Sequence, residues 1–353
     1  MDPETDGRQA SPGPGGTGPG GGAAPPAPSA AERITFLSPA AADPFADDGP
    51  NVIANLSRTP KRIAPMYVYD KHGTELFEQQ CGTPEYYLRR AEFRLLSRHA
   101  PVIVEVTGYP AIVELGAGTA EKTRILLAKY VRRRVRCDYF PIDVDADTLR
   151  ESAAALVADH PELYVNCVCA EYRSGLRALP PLRGPRLFAF LGSSLGNMEW
   201  PEARELLSAL FEAGRHGDFL LLGADLDKDA AIIDRAYNDA AGYGARSTLN
   251  MLAHLNRRFD GDFHAENFRY VSRYDAGARR NEARIESRVG QRITLRALDF
   301  SFELTQGESI DAEIMLKFDP DELTEALGEA GFATVRRWID PVYRYGLFLL
   351  VRQ

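Results

Sequence analysis

Between Ala111 and Thr123 the chain reads AIVELGAGTAEKT. An apolar run of strand length, interrupted only by Glu114, leads into Gly116-Ala117-Gly118, and a helix-compatible segment follows from Thr119 to Tyr130. Glycines let backbone approach a ligand closely, and a helix N-terminus offers free N–H groups at the positive end of its dipole. That is the chemistry of a nucleotide-type cofactor site. Glu121 stands where a dinucleotide fingerprint has its third glycine, and no G-x-x-x-x-G-K-[ST] phosphate loop is present. E-x-G-x-G suits a cofactor without a phosphate, such as S-adenosylmethionine (SAM), whose amino-acid end carries an ammonium and a carboxylate. On these residues alone, other Rossmann-type ligands stay open.

Further candidates lie downstream. Asp143 ends the strand-like VRCDYFPIDV, 27 residues past Gly116, where an acidic side chain can accept both ribose hydroxyls of a nucleoside. Asp145 or Asp147 then caps a helix over Thr148–Ala158. Glu171 and Tyr172 follow a third strand, where the loop would pass the adenine, and Asn197 sits in GSSLGN after a fourth. Tyr67, Tyr69, Tyr86 and Tyr87 cluster before the cofactor strand. Such clusters are more often core than ligand cage, yet tyrosine faces suit a sulfonium cation.

The elements that must hold these residues follow from periodicity. Strands are expected at 111–115, 135–144, 164–170, 186–191 and 218–226, alternating with helix-length segments. This alternation gives a doubly wound parallel sheet, whose ligands sit beyond the strand C-termini. A helix over 319–330 and two strands at 334–339 and 347–352 complete a seven-stranded sheet of methyltransferase type. Upstream, a short helix is expected at 75–80, and an amphipathic one at 90–104 with Phe93, Leu96 and Val102 on its apolar side. Residues 34–55 read as loop and short turns. The stretch 227–318 is too long for a connection and alternates in a strand-like way after two helical segments, at 228–242 and 248–259. The expected fold is therefore α/β, and by fold-level analogy a class I SAM-methyltransferase Rossmann-like sheet with an inserted α+β substrate-binding domain. Its divisions are 91–227 with 317–353 for the cofactor and 33–90 with 228–316 for the substrate. Residues 1–32, rich in Gly, Pro, Ala and Ser, cannot offset their ordering entropy and read as a disordered tail.

Composition narrows the function classes. The 353 residues carry a net charge of −8, which disfavours a polyanionic partner, so no nucleic acid is expected and small molecules come first. Cys81, Cys137, Cys167 and Cys169 form no C-x-x-C, and the six histidines show no ligand spacing, so buried thiols and no metal site are expected. No segment approaches the roughly 20 apolar residues of a membrane span, and no apolar signal core opens the chain. A cytoplasmic monomer is the simplest expectation.

The motifs YDKHGTELFEQ, TPEYY, VELGAGTAEKTR, PIDVDADTLRES, FLGSSLGN, LLLGADLDKD with RAYNDAAG, and LKF occur in order. With them, residues from about 60 to 353 resemble the histidine-specific Nα-methyltransferases of ergothioneine biosynthesis. The resemblance implies SAM as cofactor, a free amino acid as substrate and trimethylated histidine, hercynine, as product. It implies that Gly116 and Lys122 contact SAM, Asp143 its ribose, and Glu171 with Tyr172 its adenine. Asn197 and Tyr237 would hold the substrate's carboxylate and amine, Tyr69 and Tyr86 would wall the reacting nitrogen as catalytic residues, and Glu313 would bind the imidazole. For Lys122, Tyr237 and Glu313 the roles come from the resemblance alone; a solvated helix residue, core packing and a surface strand charge are the plain alternatives.

Three departures fall in the expected specificity pocket. Met315 replaces the serine that accompanies the glutamate, and a thioether cannot replace a hydroxyl donor. Ser287 stands where a methionine is usual, and Ser247-Thr248 replace an aromatic-Asn pair before Asn250. The same chemistry on another amino acid or amine is thus the alternative, and a non-catalytic SAM-binding protein is a more distant one. No dedicated base is evident; a tyrosine or water could carry the proton.

Overall fold

The structure, a computed structural model, describes residues 28–37, 48–133, 135–182 and 184–353; most of the Gly/Pro-rich segment lies outside them. In chain order the elements are β1 (Ile34–Phe36), α1 (Gly49–Ser57), β2 (Lys61–Arg62), α2 (Lys71–Cys81), α3 (Tyr87–Thr107), β3 (Ala111–Leu115), α4 (Thr123–Arg133) and β4 (Cys137–Asp143). Then come α5 (Ala146–Asp159), β5 (Leu163–Cys169), α6 (Tyr172–Arg177), β6 (Arg186–Phe190), α7 (Trp200–Ala213), β7 (Phe219–Asp225), α8 (Ala230–Tyr237) and α9 (Tyr243–Phe259). The chain closes with β8 (Phe268–Asp275), β9 (Arg280–Ser287), β10 (Gln291–Leu295), β11 (Phe300–Leu304), β12 (Ser309–Leu316), α10 (Pro320–Glu329), β13 (Phe332–Ile339) and β14 (Tyr345–Arg352).

The large sheet has the order β1-β5-β4-β3-β6-β7-β14-β13. Its first six strands run parallel, and β14 is antiparallel to both β7 and β13. Central strands buried on both faces need continuous apolar runs, and Leu220–Leu222 and Leu347–Leu350 supply them, each residue fully buried. The seven expected strands are all present. The eighth, β1, lies in a segment expected to be loop and placed with the substrate-binding part; it instead pairs Ile34–Phe36 with Val165–Cys167 at the sheet edge. Three residues are too few for periodicity to register. Sequential strands step outward from β3 through β4 to β5, then return to β6 on the other side of β3. The reversal makes the C-terminal ends of β3 and β6 the topological switch point, where doubly wound sheets open a ligand crevice.

A second sheet, β2-β12-β9-β8, and the hairpin β10-β11 pack beneath α9 around Tyr67, Met251, Leu255, Ile285 and Ile310. The two sheets meet where β12 runs on past Leu316. Phe318 bridges in parallel to Leu226 just after β7, and its N–H donates to the Asp225 carbonyl at 3.0 Å. The 3₁₀ turn Ser194–Asn197 that follows β6 lies directly on β12: a Cβ on Gly196 would stand 2.9 Å from the Leu316 carbonyl oxygen. Only a residue without a side chain lets these backbones touch.

Three expectations about helices change, the first being that α1 forms over Gly49–Ser57, where loop and short turns were expected. The first helix after the glycine turn begins at Thr123 and not at Thr119, because Gly118 and Ala120 hold φ of 50° and 55°, outside the helical region. In α3 the buried side is Leu88, Ala91, Leu95, Leu96 and Ile103, whereas Val102 is exposed. Phe93 lies beside it, partly buried under the Arg89 guanidinium.

Candidate active site

Tyr69, Tyr86, Gly116, Lys122, Asp143, Glu171, Tyr172, Asn197, Tyr237, Glu313 and Met315 all line one cavity of about 550 Å³, open between the switch point of the large sheet and the second sheet. At the large-sheet end, Gly116 closes off β3 with φ of 68°, and the N–H groups of Gly116 and Ala117 both reach the Ile142 carbonyl. The turn is thereby tied to β4, whose last residue is Asp143. One Asp143 oxygen accepts the Gly118 N–H at 2.8 Å and the other the Asp145 N–H at 3.0 Å. Burial raises its pKa, against the pull of those two N–H groups. Asp145 is the helix cap: its carboxylate accepts the N–H groups of Asp147 and Thr148. This leaves the Asp143 carboxylate facing the cavity as an acceptor.

Tyr172 lies over the glycine turn, its hydroxyl 3.1 Å from where a Gly116 Cβ would be, and its ring packs edge-on to Phe190. Glu171 also lines the cavity, but its oxygens cap α6: one accepts from the N–H and hydroxyl of Ser174, the other from the Arg173 N–H. Lys122, at the entry to α4, is drawn to Glu92 at 2.9 Å. Burial would lower the Lys122 pKa, yet Glu92 outweighs it and the net shift is upward, so the ammonium stays charged.

At the other end, an aromatic series runs from Tyr69 through Phe77 and Tyr86 to Tyr237, with ring centroids 5.9, 6.0 and 6.3 Å apart and near-perpendicular planes. Burial drives the phenols of Tyr69 and Tyr86 well above the ordinary tyrosine range. A tyrosine so shifted keeps its proton, which argues against either of them as the base. Asn197 ends the 3₁₀ turn that Gly196 seats on β12. Glu313 projects from β12 just past an irregularity in its pairing with β9, between Asp311 and Glu313. Burial pushes its carboxyl up to about 7; the Thr248 hydroxyl, donating at 3.3 Å, opposes that rise. Met315 follows on the same strand, 7% exposed.

The departures from the family pattern separate here. Met315, Ser247 and Thr248 line the cavity. Ser287 does not: it is fully buried at the end of β9, donates to the Val289 carbonyl at 2.8 Å and accepts from Gln291 at 2.6 Å. Its expected place in the specificity pocket is therefore corrected, and it serves the turn into β10. Ser247 carries the opposite signal, a buried hydroxyl in the cavity wall with no partner among the described residues. A buried polar atom of this kind costs free energy unless a ligand satisfies it.

Three lining residues escaped the sequence reading. Glu92 is 1% exposed and accepts from the Gly192 N–H at 2.8 Å and the Tyr345 hydroxyl at 2.7 Å as well as from Lys122. It fills the space above Gly223, where a Cβ would lie 2.1 Å from its oxygen. Its signal was available, since Glu92 sits midway between Leu88 and Leu96 on an apolar helix face. Glu114, noted as the break in its strand, accepts from the Tyr139 hydroxyl and is pushed by burial up to about 7. Lys317 is buried behind Tyr237, and its Nζ donates to the Tyr237 hydroxyl at 2.7 Å.

Arranged this way, the cavity can accept a diol at Asp143, pair an anionic group with Lys122, and offer Glu313 to an N–H-bearing or cationic side chain. The donor set fits a sulfonium nucleoside: an open glycine turn, a carboxylate at the strand end and an aromatic ring beside it. No group of three or more His, Cys, Asp or Glu among the described residues could hold a metal.

Comparison with known proteins bears on the same region. Residues 47–352 match the family model described as histidine-specific methyltransferase, SAM-dependent. The histidine N-alpha-methyltransferase of Mycolicibacterium smegmatis is 37% identical over 302 residues, covering 86% of this chain and 94% of that protein. The protein of the same name from Mycobacterium tuberculosis has the same identity and coverage. Ergothioneine biosynthesis protein 1 of Neurospora crassa is 26% identical, covering 83% of this chain and 33% of that longer protein.

Proposed function

The chain belongs to the histidine-specific, SAM-dependent methyltransferases, and on that premise we propose that it methylates the α-amino group of free L-histidine, up to the trimethylated betaine hercynine. The observation that supports this most is the convergence of the Asp143 end and the Glu313 end on one cavity. A donor nucleoside and an amino-acid acceptor would there lie head to head, with the tyrosine series alongside their junction.

SAM, when bound, supplies an electrophilic methyl group on a sulfonium. The protein's part is to bind and align. Asp143 accepts the ribose hydroxyls, the Gly116 turn gives the nucleoside room, Tyr172 faces the adenine with Glu171 beside it, and Lys122 meets the donor's carboxylate. Asn197 and Tyr237 hold the acceptor's carboxylate and amine. Tyr69 and Tyr86 wall the nitrogen so that its lone pair faces the methyl group opposite the leaving sulfur. Alignment of this kind can supply about 7–11 kcal/mol of the barrier. The amine must arrive neutral, and since both phenols hold their protons, water is the better carrier for the proton. In this reading residues 33–90, apart from β1 at the edge of the large sheet, and 228–316 contribute the substrate side, and the enzyme acts without a nucleic-acid or membrane partner, as a monomer in the cytoplasm.

Met315 and Ser247 favour a second reading, the same reaction on another amino acid or amine. A thioether beside Glu313 removes one hydrogen-bond donor, and Ser247 supplies a hydroxyl nearby in the wall. Incubation with SAM and a panel of free amino acids, followed by mass spectrometry, separates the readings. Methylated histidine is expected; methylation of tryptophan or tyrosine with histidine untouched would move the assignment to the second reading, and no product from any amino acid would sink both.

A further inference from the structure

Behind the acceptor end of the cavity lies a buried cluster of charges. Lys317, the residue after β12, is 3% exposed, and its Nζ stands 2.7 Å from the Tyr237 hydroxyl oxygen and 3.0 Å from Asp225 Oδ2. Asp225, at the end of β7 and fully buried, also pairs with Lys228 through its other oxygen. Tyr87 completes the group, donating to Asp225 at 2.6 Å while accepting from Lys228 at 2.8 Å. One carboxylate thus serves two lysines.

Two consequences follow from donor and acceptor arithmetic. A lysine ammonium has three donors and no acceptor, so in its contact with Lys317 the Tyr237 oxygen must accept. The Tyr237 hydrogen is then left to point elsewhere, and both Tyr237 and Lys317 line the cavity. The second consequence concerns charge. Burial lowers Lys228 to about 8, whereas for Lys317 the attraction of Tyr237 and Asp225 overcomes burial and the shift is upward. Of the two lysines, the one in contact with Tyr237 is thus the one that keeps its charge to higher pH.

We propose that Lys317 is a positioning residue for substrate recognition: it fixes Tyr237 as a hydrogen-bond donor toward the acceptor's carboxylate and sets a buried positive charge behind that donor. The site then selects α-amino acids over amines that lack a carboxylate. This rests on the reading in which Asn197 and Tyr237 together hold the substrate's carboxylate and amine, and within it gives Tyr237 to the carboxylate. No other feature of the sequence marked Lys317 beyond its place in the LKF motif.

The test is a pair of binding constants, for histidine and for histidinol, in which a hydroxymethyl group replaces the carboxylate. Each is measured by calorimetry in the presence of S-adenosylhomocysteine, whose own binding reports an intact cofactor half. Wild-type protein should prefer histidine. Lys317→Met should narrow that preference about tenfold while S-adenosylhomocysteine binds as before. Tyr237→Phe should narrow it similarly, and the double variant should do no more than Tyr237→Phe alone, because Lys317 acts through the hydroxyl. An unchanged preference in Lys317→Met, or fully additive effects in the double variant, would overturn the proposal. Should Lys317→Met lose the cofactor product, Lys317→Gln is read in the same way, and loss in both assigns Lys317 to folding alone and overturns it as well. Failure of wild-type protein to bind histidine or any other amino acid counts against the proposed function and, with it, this inference; binding of another amino acid instead moves the same cycle to that acid and its alcohol.

Discussion

At the scale of single residues, Glu313 carries the most consequence. Burial lifts its carboxyl from 4.5 to about 7. Above that pH it is a carboxylate able to attract an imidazole N–H, and below it the charge is lost. The histidine KM is therefore expected to rise as pH falls through about 7, with the SAM KM unmoved. Glu313→Gln should raise the histidine KM about tenfold or more at pH 8 and flatten that pH response; equal effects on both KM values would remove Glu313 from substrate binding. Linkage gives the matching stability effect. A carboxyl whose folded pKa lies above its unfolded value favours the fold at low pH, and that contribution is lost as pH rises through the folded value. The unliganded Glu313→Gln protein should thus gain stability relative to wild type between about pH 4.5 and 7 and keep the gain above, as read by thermal unfolding across that range. Much of this residue-level picture could be read from sequence. Gly116, Asp143 and Asn197 were placed by local pattern, since each ends or follows a strand of the parallel sheet. Lys122, Tyr237 and Glu313 were placed only by resemblance, because their partners, Glu92, Lys317 and Thr248, come from distant parts of the chain.

At the scale of elements, the site depends on how closely the turn after β6 sits on β12. Gly196 makes that contact, with Leu316 oxygen and nitrogen 2.9 and 3.3 Å from where its Cβ would be. Both of these atoms are backbone and have little freedom to give way. Gly196→Ala should cost about 1–3 kcal/mol, the range typical of overpacking, and shift Asn197 enough to raise the amino-acid KM more than the SAM KM. Denaturant unfolding and steady-state kinetics check the two parts; a variant as stable as wild type with unchanged kinetics would show that the contact yields freely. The strands of the large sheet were legible because their apolar runs are long and buried on both faces. The start of α4 was not, since the left-handed Ala120 is invisible to a period count. The buried side of α3 was legible only in part: Leu96 lies on it as expected, but Phe93 and Val102 imitate the apolar face.

At the scale of the whole molecule, the cavity takes its walls from both sheets, as expected of a substrate-binding part inserted between strands of the cofactor sheet. The order of motifs along the chain fixed the class of fold, but the junction of β12 with β7, through Phe318 and Leu226, appears only in three dimensions. A ligand that binds the folded state alone stabilises it by RT ln(1 + [L]/Kd), about 2.7 kcal/mol at a hundredfold excess over Kd. S-adenosylhomocysteine is expected to raise the unfolding temperature accordingly, and Asp143→Ala should abolish most of that rise while leaving the unliganded protein folded. An undiminished rise would place the nucleoside elsewhere. In the proposed reaction donor and acceptor meet in this cavity at one atom, the α-nitrogen of histidine. SAM carrying a ¹³C methyl group, incubated with the enzyme and histidine, tests it directly by NMR of the product. The label should appear on the α-nitrogen, in up to three equivalent methyl groups; label on a ring nitrogen, or none on histidine while another amino acid takes it up, would contradict the account.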